Sequence, residues 1–139
     1  MTFFNGRDWL GSPGASPLLL NQLRSDAHPE IPAGYFDFLA LSDGGEGPLP
    51  VLPLNVCLDS AETMLRSIQE KWHQDWIAEG FFPIGGNGGG ELIGFDLRKQ
   101  IPLPIIYVDM VSGMKSAEQI APTWNDFLEL LGRESSGSE

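Results

Sequence analysis

The chain is poor in the side chains that most catalytic and metal-binding chemistry draws on. It has one cysteine, Cys57, and two histidines, His28 and His73, in 139 residues. One cysteine excludes an intramolecular disulfide and suits a reducing compartment, so a cytoplasmic location is expected. The histidines lie far from Cys57 and have no second ligand at i+3 or i+4, so no zinc site is expected, nor any other metal or cofactor. Cys57 falls in a short apolar run with no charged neighbour before Asp59, which describes a structural thiol better than an activated one. No Gly-x-Ser-x-Gly elbow occurs. The glycines from Gly85 to Gly90 are followed by Glu91 and another apolar run, without the Lys and Ser/Thr that a phosphate-cradling loop needs. Carboxylate pairs exist, Glu91 with Asp96 and Asp75 with Glu79, but on faces that read as solvated, where nothing separates two pKa values. No catalytic residue is assigned, and the chain reads as a non-enzyme.

Basic residues are equally scarce. Eight Lys and Arg stand against 19 Asp and Glu, giving a net charge of −11 and a pI near 4.4. Such a surface repels nucleic acid and anionic membrane at long range and steers basic proteins toward it, although solubility alone is also a sufficient reason for it. The only adjacent basic pair is Arg98-Lys99. No segment offers the ~18 uninterrupted apolar residues of a membrane span, and Met1 to Trp9 lack the basic head and apolar core of a secretory leader.

What is present is the material of one ordinary globular domain, with 42% hydrophobic residues and four Trp. Residues 1–15 read as an arm whose Phe3, Phe4, Trp9 and Leu10 pack on the body. The domain itself is expected over residues 16–132, and a disordered tail over 133–139. Ser16-Pro17 signals a helix start, with Leu19, Leu20 and Leu23 buried and an end near Ala27. Ile31-Pro32 opens a second helix by the same device, with Tyr35, Phe38, Leu39 and Ser42 on one face and Phe36 flanking it. Asp43-Gly44-Gly45 is its expected left-handed terminator. Three prolines between Gly47 and Leu54 confine that segment to an edge strand or a strand entry, and a short strand is expected over Asn55 to Leu58.

From Asp59 to Glu79 the spacing of Ala61, Met64, Leu65, Ile68, Trp72 and Trp76 predicts one long helix, started by Asp59 with Glu62 and stopped at Gly80. The spacing puts both tryptophans on the core stripe, in preference to an aromatic ligand platform. Phe81 to Asp96 is a hairpin turning at Asn87-Gly88, with Ile93, Phe95 and Leu97 on one face of its second strand and Leu92 and Asp96 on the other. The run Ile105-Ile106-Tyr107-Val108 reads as a central strand. Thr123 with Asp126 caps a last helix that buries Trp124, Phe127, Leu128 and Leu131 and ends at Gly132. Helices, strand, helix, strands and helix in that order predict an α+β fold with a mainly antiparallel sheet.

Three of these segments, in this order, carry a resemblance. Ile31-Pro32-Ala33-Gly34-Tyr35-Phe36-Asp37-Phe38-Leu39-Ala40-Leu41-Ser42-Asp43-Gly44-Gly45 resembles the proline, aromatic-rich helix and Asn/Asp-Gly-Gly signature of the SUKH superfamily, especially its Smi/Knr-type domain. Phe82-Pro83-Ile84-Gly85 through Phe95-Asp96 is similar to that family's glycine-tipped hairpin, and Ile120 through Leu128 to its closing helix. Asp43 stands where Asn is more usual, and the proline-rich segment after Gly47 is less typical of the family. The resemblance implies helices packed on one side of the sheet, a single domain, and no catalytic residues. It further implies a protein-binding role. Bacterial members are commonly immunity proteins that neutralise a cognate toxin, often a nuclease, while eukaryotic relatives regulate the cell wall and signalling.

The expected partner is therefore a protein, possibly a basic toxin, with a regulatory scaffold as the alternative role. The partner-binding candidates are the acids expected to be exposed near loops and helix ends: Asp43, Glu46, Asp59, Glu62, Asp75, Glu79 and Glu91.

Overall fold

The computed structural model describes residues 6–134, so Phe3, Phe4 and residues 135–139 lie outside the described residues. Helix starts follow the side chains that satisfy their first N–H groups. Ser16 caps α1 (Pro17–Asp26), its Oγ accepting from the Leu19 N–H at 3.2 Å. Leu20 and Leu23 of α1 are buried, Leu19 only in part. α2 (Ala33–Leu41) begins one residue later than Pro32 at its first position would place it, because Pro32 takes the cap itself. The helix buries Tyr35, Phe36, Phe38 and Leu39 and ends at Ser42, ahead of the glycines.

The strands that follow pair in sequence order, each antiparallel to the next. They are β1 (Leu10–Gly11), β2 (Gly45–Pro48), β3 (Asn55–Leu58), β4 (Phe81–Gly86), β5 (Glu91–Asp96), β6 (Ile105–Asp109) and β7 (Glu118–Ala121). Of the two readings of the proline-rich segment, the edge strand is corrected, because β2 lies between β1 and β3 and holds only Pro48, at its end, while residues 49–54 are the turn that enters β3. β1 lines the edge with Leu10 73% exposed, so Leu10 does not pack on the body. Trp9 does. Its ring meets Phe38 edge-on at 6.1 Å and its Nε1 donates to Ser42 Oγ at 3.3 Å. A Cβ at Gly45 or Gly47 would come within 3 Å of that ring, so these glycines make room for Trp9.

One face of the sheet carries the main core. Val56, Leu58, Phe82, Ile84, Ile93, Phe95 and Ile105 pack there against α1, α2, α3 (Ala61–Gln69) and α5 (Trp124–Leu130). Trp124 is the hub, with ring centroids of Tyr35, Phe38, Phe95 and Phe127 all between 5.4 and 5.9 Å away. Thr123 caps α5 reciprocally with Asp126, at 3.1 Å to the backbone N–H and 2.9 Å between side chains. The opposite face is not simply solvated. Phe81, Ile106 and Val108 form a second, smaller cluster there, joined by Trp76, Leu92 and Met114. Asp96, read as part of a solvated pair, is instead 1% exposed and salt-bridged to Arg98 at 2.9 Å. Burial alone favours its neutral form, but the hydrogen bonds and charge of Arg98 outweigh burial and lower its pKa.

The single helix expected over Asp59 to Glu79 is two. α3 stops at Gln69, Lys71 adopts the left-handed region at φ 59°, and α4 (Gln74–Ala78) starts afresh. Ser60, not Asp59, is the cap of α3, accepting from the Thr63 N–H at 3.2 Å. The break turns the chain so that Ile77 reaches the main core while Trp76 meets Phe81 edge-on at 5.7 Å. Trp72, expected in the core, falls in the break and is 49% exposed. The hairpin turns over four residues, not at the Asn87-Gly88 pair alone. Asn87 Oδ1 accepts from the Gly89 and Glu91 N–H groups at 2.8 and 3.1 Å, and Gly88 and Gly90 supply the positive φ.

Candidate partner-binding surface

Four of the seven candidate acids meet at one corner, where the turn after α2 crosses the start of α3. Asp43 leaves α2 through Ser42, and its Oδ1 accepts from the Ala61 N–H at 2.7 Å. It is thus a long-range cap on α3 as well as a surface charge. Asp59 ends the β3 side of the corner, its own N–H donating to Ile84 O at 3.0 Å. Half-buried there, its carboxyl has a pKa raised by desolvation. Glu62 is exposed in the first turn of α3, where the N–H groups of the helix favour a negative charge. Glu46 is exposed on β2, directly opposite Cys57 on β3.

Beneath these acids lies the Tyr35 hydroxyl, buried and without a hydrogen-bond partner. Its pKa is raised by burial first, then by Asp59 and Asp43, which places its ring oxygen in the field of both carboxylates. The Cys57 thiol is likewise pushed up, by burial and then by Glu46, so it stays protonated and unreactive at neutral pH. It is half-buried rather than fully enclosed.

The other three candidates lie elsewhere. Asp75 and Glu79 are exposed on α4 and at its end. Glu91 starts β5, opposite Asp109, and its Oε1 accepts from Asn87 Nδ2 at 2.8 Å, which makes it part of the hairpin turn. None of the seven forms an ion pair with another described residue. The pairs present join Arg7 and Arg133 to Glu129, Arg66 to Glu70, and Arg98 to Asp96. Among the described residues no group of three or more His, Cys, Asp and Glu side chains is placed to hold a metal. No described helix is long and apolar enough to cross a membrane.

A gap between basic residues in the sequence underlies the corner. Between Arg24 and Arg66 there is no Lys or Arg, while Asp26, Glu30, Asp37, Asp43, Glu46, Asp59 and Glu62 all fall in that interval. The fold brings the last four of these together at a place the chain supplies with no cation of its own from that stretch. The signal was a gap between basic residues, not a cluster of acids.

Seven strands in sequence order, with α1, α2, α3 and α5 on one face, define a helix-backed antiparallel α+β domain. The chain belongs to the SMI1 / KNR4 family (SUKH-1), whose family model matches residues 14–130. That family includes immunity proteins, is generally non-catalytic and is associated with protein binding. No curated protein matches the chain at a significant level.

Proposed function

We propose that this protein is a non-enzymatic immunity protein that binds a basic toxin domain, of the nuclease kind, and blocks it by occlusion. The observation that carries the reading is the corner of Asp43, Glu46, Asp59 and Glu62, four carboxylates with no ion pair to a described cation. Nuclease domains grip a polyanion and so tend to be basic, and an acidic surface meets them with complementary charge and faster encounter. Occlusion needs no chemistry from the binder, in keeping with a family that is generally non-catalytic. Asp75, Glu79 and Glu91 extend the negative field beyond the corner.

The test is purification from the native host followed by identification of what is bound. Recovery of a basic effector domain, with rescue of cells that express that effector, supports immunity. Recovery of cell-wall or signalling enzymes instead would make the protein a regulatory scaffold and overturn the toxin reading.

A further inference from the structure

Where the helical pattern breaks at Lys71, the surface between α3 and α4 opens into a pocket of about 210 Å³ above strand β4. Ile68 of α3, Ile77 of α4 and Phe82 of β4 are among its apolar walls. Roughly 150 Å³ of apolar space holds a benzene ring, so the pocket has room for one phenyl ring with a small polar group attached.

The lining itself selects the occupant. In a chain with 19 acidic and 8 basic residues, no Asp or Glu lines this pocket, and the one charged residue there is the cation Lys71. The other polar side chains are Ser67, His73 and Gln74. The Ser67 hydroxyl donates to Met64 O at 2.7 Å. The side chains of Lys71, His73 and Gln74 make no hydrogen bond or ion pair with another described residue. Burial lowers the pKa of His73, so at neutral pH its ring is uncharged and keeps one N–H. Of the acids nearest in sequence, Asp75 and Glu70, neither lines the pocket, and Glu70 is held by Arg66 at 3.7 Å and by Trp72 Nε1 at 3.0 Å. Exposed charges more than about 8 Å away are largely screened at physiological salt, so the negative surface as a whole counts for less here than Lys71 does. Lys71 also stands where the turn alone asks for glycine, at φ 59°. One cation, with N–H donors from His73 and Gln74 beside it, matches one carboxylate. A phosphate monoester, at about −2, would leave charge unpaired, and a cation would meet no anion.

We propose that this pocket is a binding site for a small monocarboxylic acid, whose apolar body, the size of a phenyl ring, lies between α3 and α4 and whose carboxylate faces Lys71. The inference goes beyond the immunity reading and does not depend on it. It is tested by NMR titration of the ¹⁵N-labelled full chain with hydrocinnamate, its neutral amide, phenylpropylammonium, acetate, and acetyl-Gly-Gly-Phe with a free C-terminal carboxylate. Hydrocinnamate should saturably shift the Lys71, His73 and Gln74 amides and the Trp72 indole, with a Kd of about a few millimolar or tighter. The amide should bind about fivefold more weakly, acetate at least about tenfold more weakly, and the ammonium not at all. Lys71→Gly, which suits the backbone of the break, and Lys71→Gln, which keeps a long side chain without the charge, should each bind hydrocinnamate no better than the amide. Absence of a saturable shift at these residues overturns the site. Equal binding of the amide or the ammonium, or an unchanged preference for hydrocinnamate in both Lys71 variants, overturns the pairing with Lys71. Equal binding of acetate overturns the apolar body, and tighter binding of the peptide overturns the free acid in favour of a protein C-terminus. Failure of the native-host purification to yield a toxin, with hydrocinnamate still bound, would overturn the immunity reading and leave this site standing, and the reverse pair of results would do the opposite.

Discussion

Replacing Asp43 with alanine removes the only side-chain oxygen that the turn after α2 offers to the start of α3. The contact is short, 2.7 Å from Oδ1 to the Ala61 N–H, half-buried, and joins residues 18 apart in sequence. A lost helix-cap bond typically costs about 1 kcal/mol, and a charged acceptor raises that to about 1.5–3 kcal/mol. The contact is only partly buried, which places the loss at the low end of that range. The net expected loss is about 1.5 kcal/mol, which at a urea m-value of about 1.5 kcal/mol/M lowers the denaturation midpoint by about 1 M. Asp43→Asn keeps an oxygen in the same place without the charge and should lose no more than about 0.5 kcal/mol. Urea titration followed by circular dichroism reads both variants. An unchanged midpoint for Asp43→Ala, or an Asn variant as unstable as the Ala variant, would refute the cap.

Other consequences follow from the same structure. Lys71 holds a left-handed conformation that costs a non-glycine residue about 1 kcal/mol, so Lys71→Gly should stabilise the fold by about 0.5–1 kcal/mol in the same urea assay, and a loss would mean the lysine side chain outweighs the strain. Burial holds the His73 pKa below its usual value, so the unfolded chain binds the proton first; stability should fall as pH drops from about 6.5 toward the folded pKa, and His73→Gln should flatten that stretch of the pH–stability curve. Trp124→Ala empties the aromatic hub and should cost about 3–5 kcal/mol, read by thermal unfolding, with a loss below about 1 kcal/mol contradicting its role.

Capping chemistry and periodicity made the helices legible. Ser16, Thr123 and the aromatic face of α2 are local signals, and local signals survive folding. The failures share a cause in tertiary demand. Apolar spacing from Ala61 to Trp76 is helical throughout, yet Lys71 breaks it because the chain has two sheet faces to cover, which no single-helix pattern can show. β7 has no mark in the sequence because Glu118 and Gln119 are exposed and carry no alternation, and β1 has none because it is two residues long. Gly45 reads as part of a helix terminator and Gly47 as the start of an extended segment, and their work in β2 is to admit Trp9 from far along the chain. For the candidate surface, exposure is as expected at Glu46, Glu62, Asp75 and Glu79, whereas Asp43, Asp59 and Glu91 are partly buried, and the joining of Asp43, Glu46, Asp59 and Glu62 depends on the α2 turn crossing α3. The capping role of Asp43, spanning 18 residues, had no local mark at all.

The central claim is that the exposed acids of the corner bind a basic protein. It is tested most directly by isothermal titration of the partner recovered from the host against the natural protein and the Glu46→Lys, Glu62→Lys double variant, at low and high salt. Neither residue holds an ion pair in the described fold, so the variant should stay folded. The account predicts at least about a tenfold weaker complex for the variant, and a salt dependence that is steep for the natural protein and shallow for the variant. Equal affinity of the two proteins, with no response to salt, would contradict it.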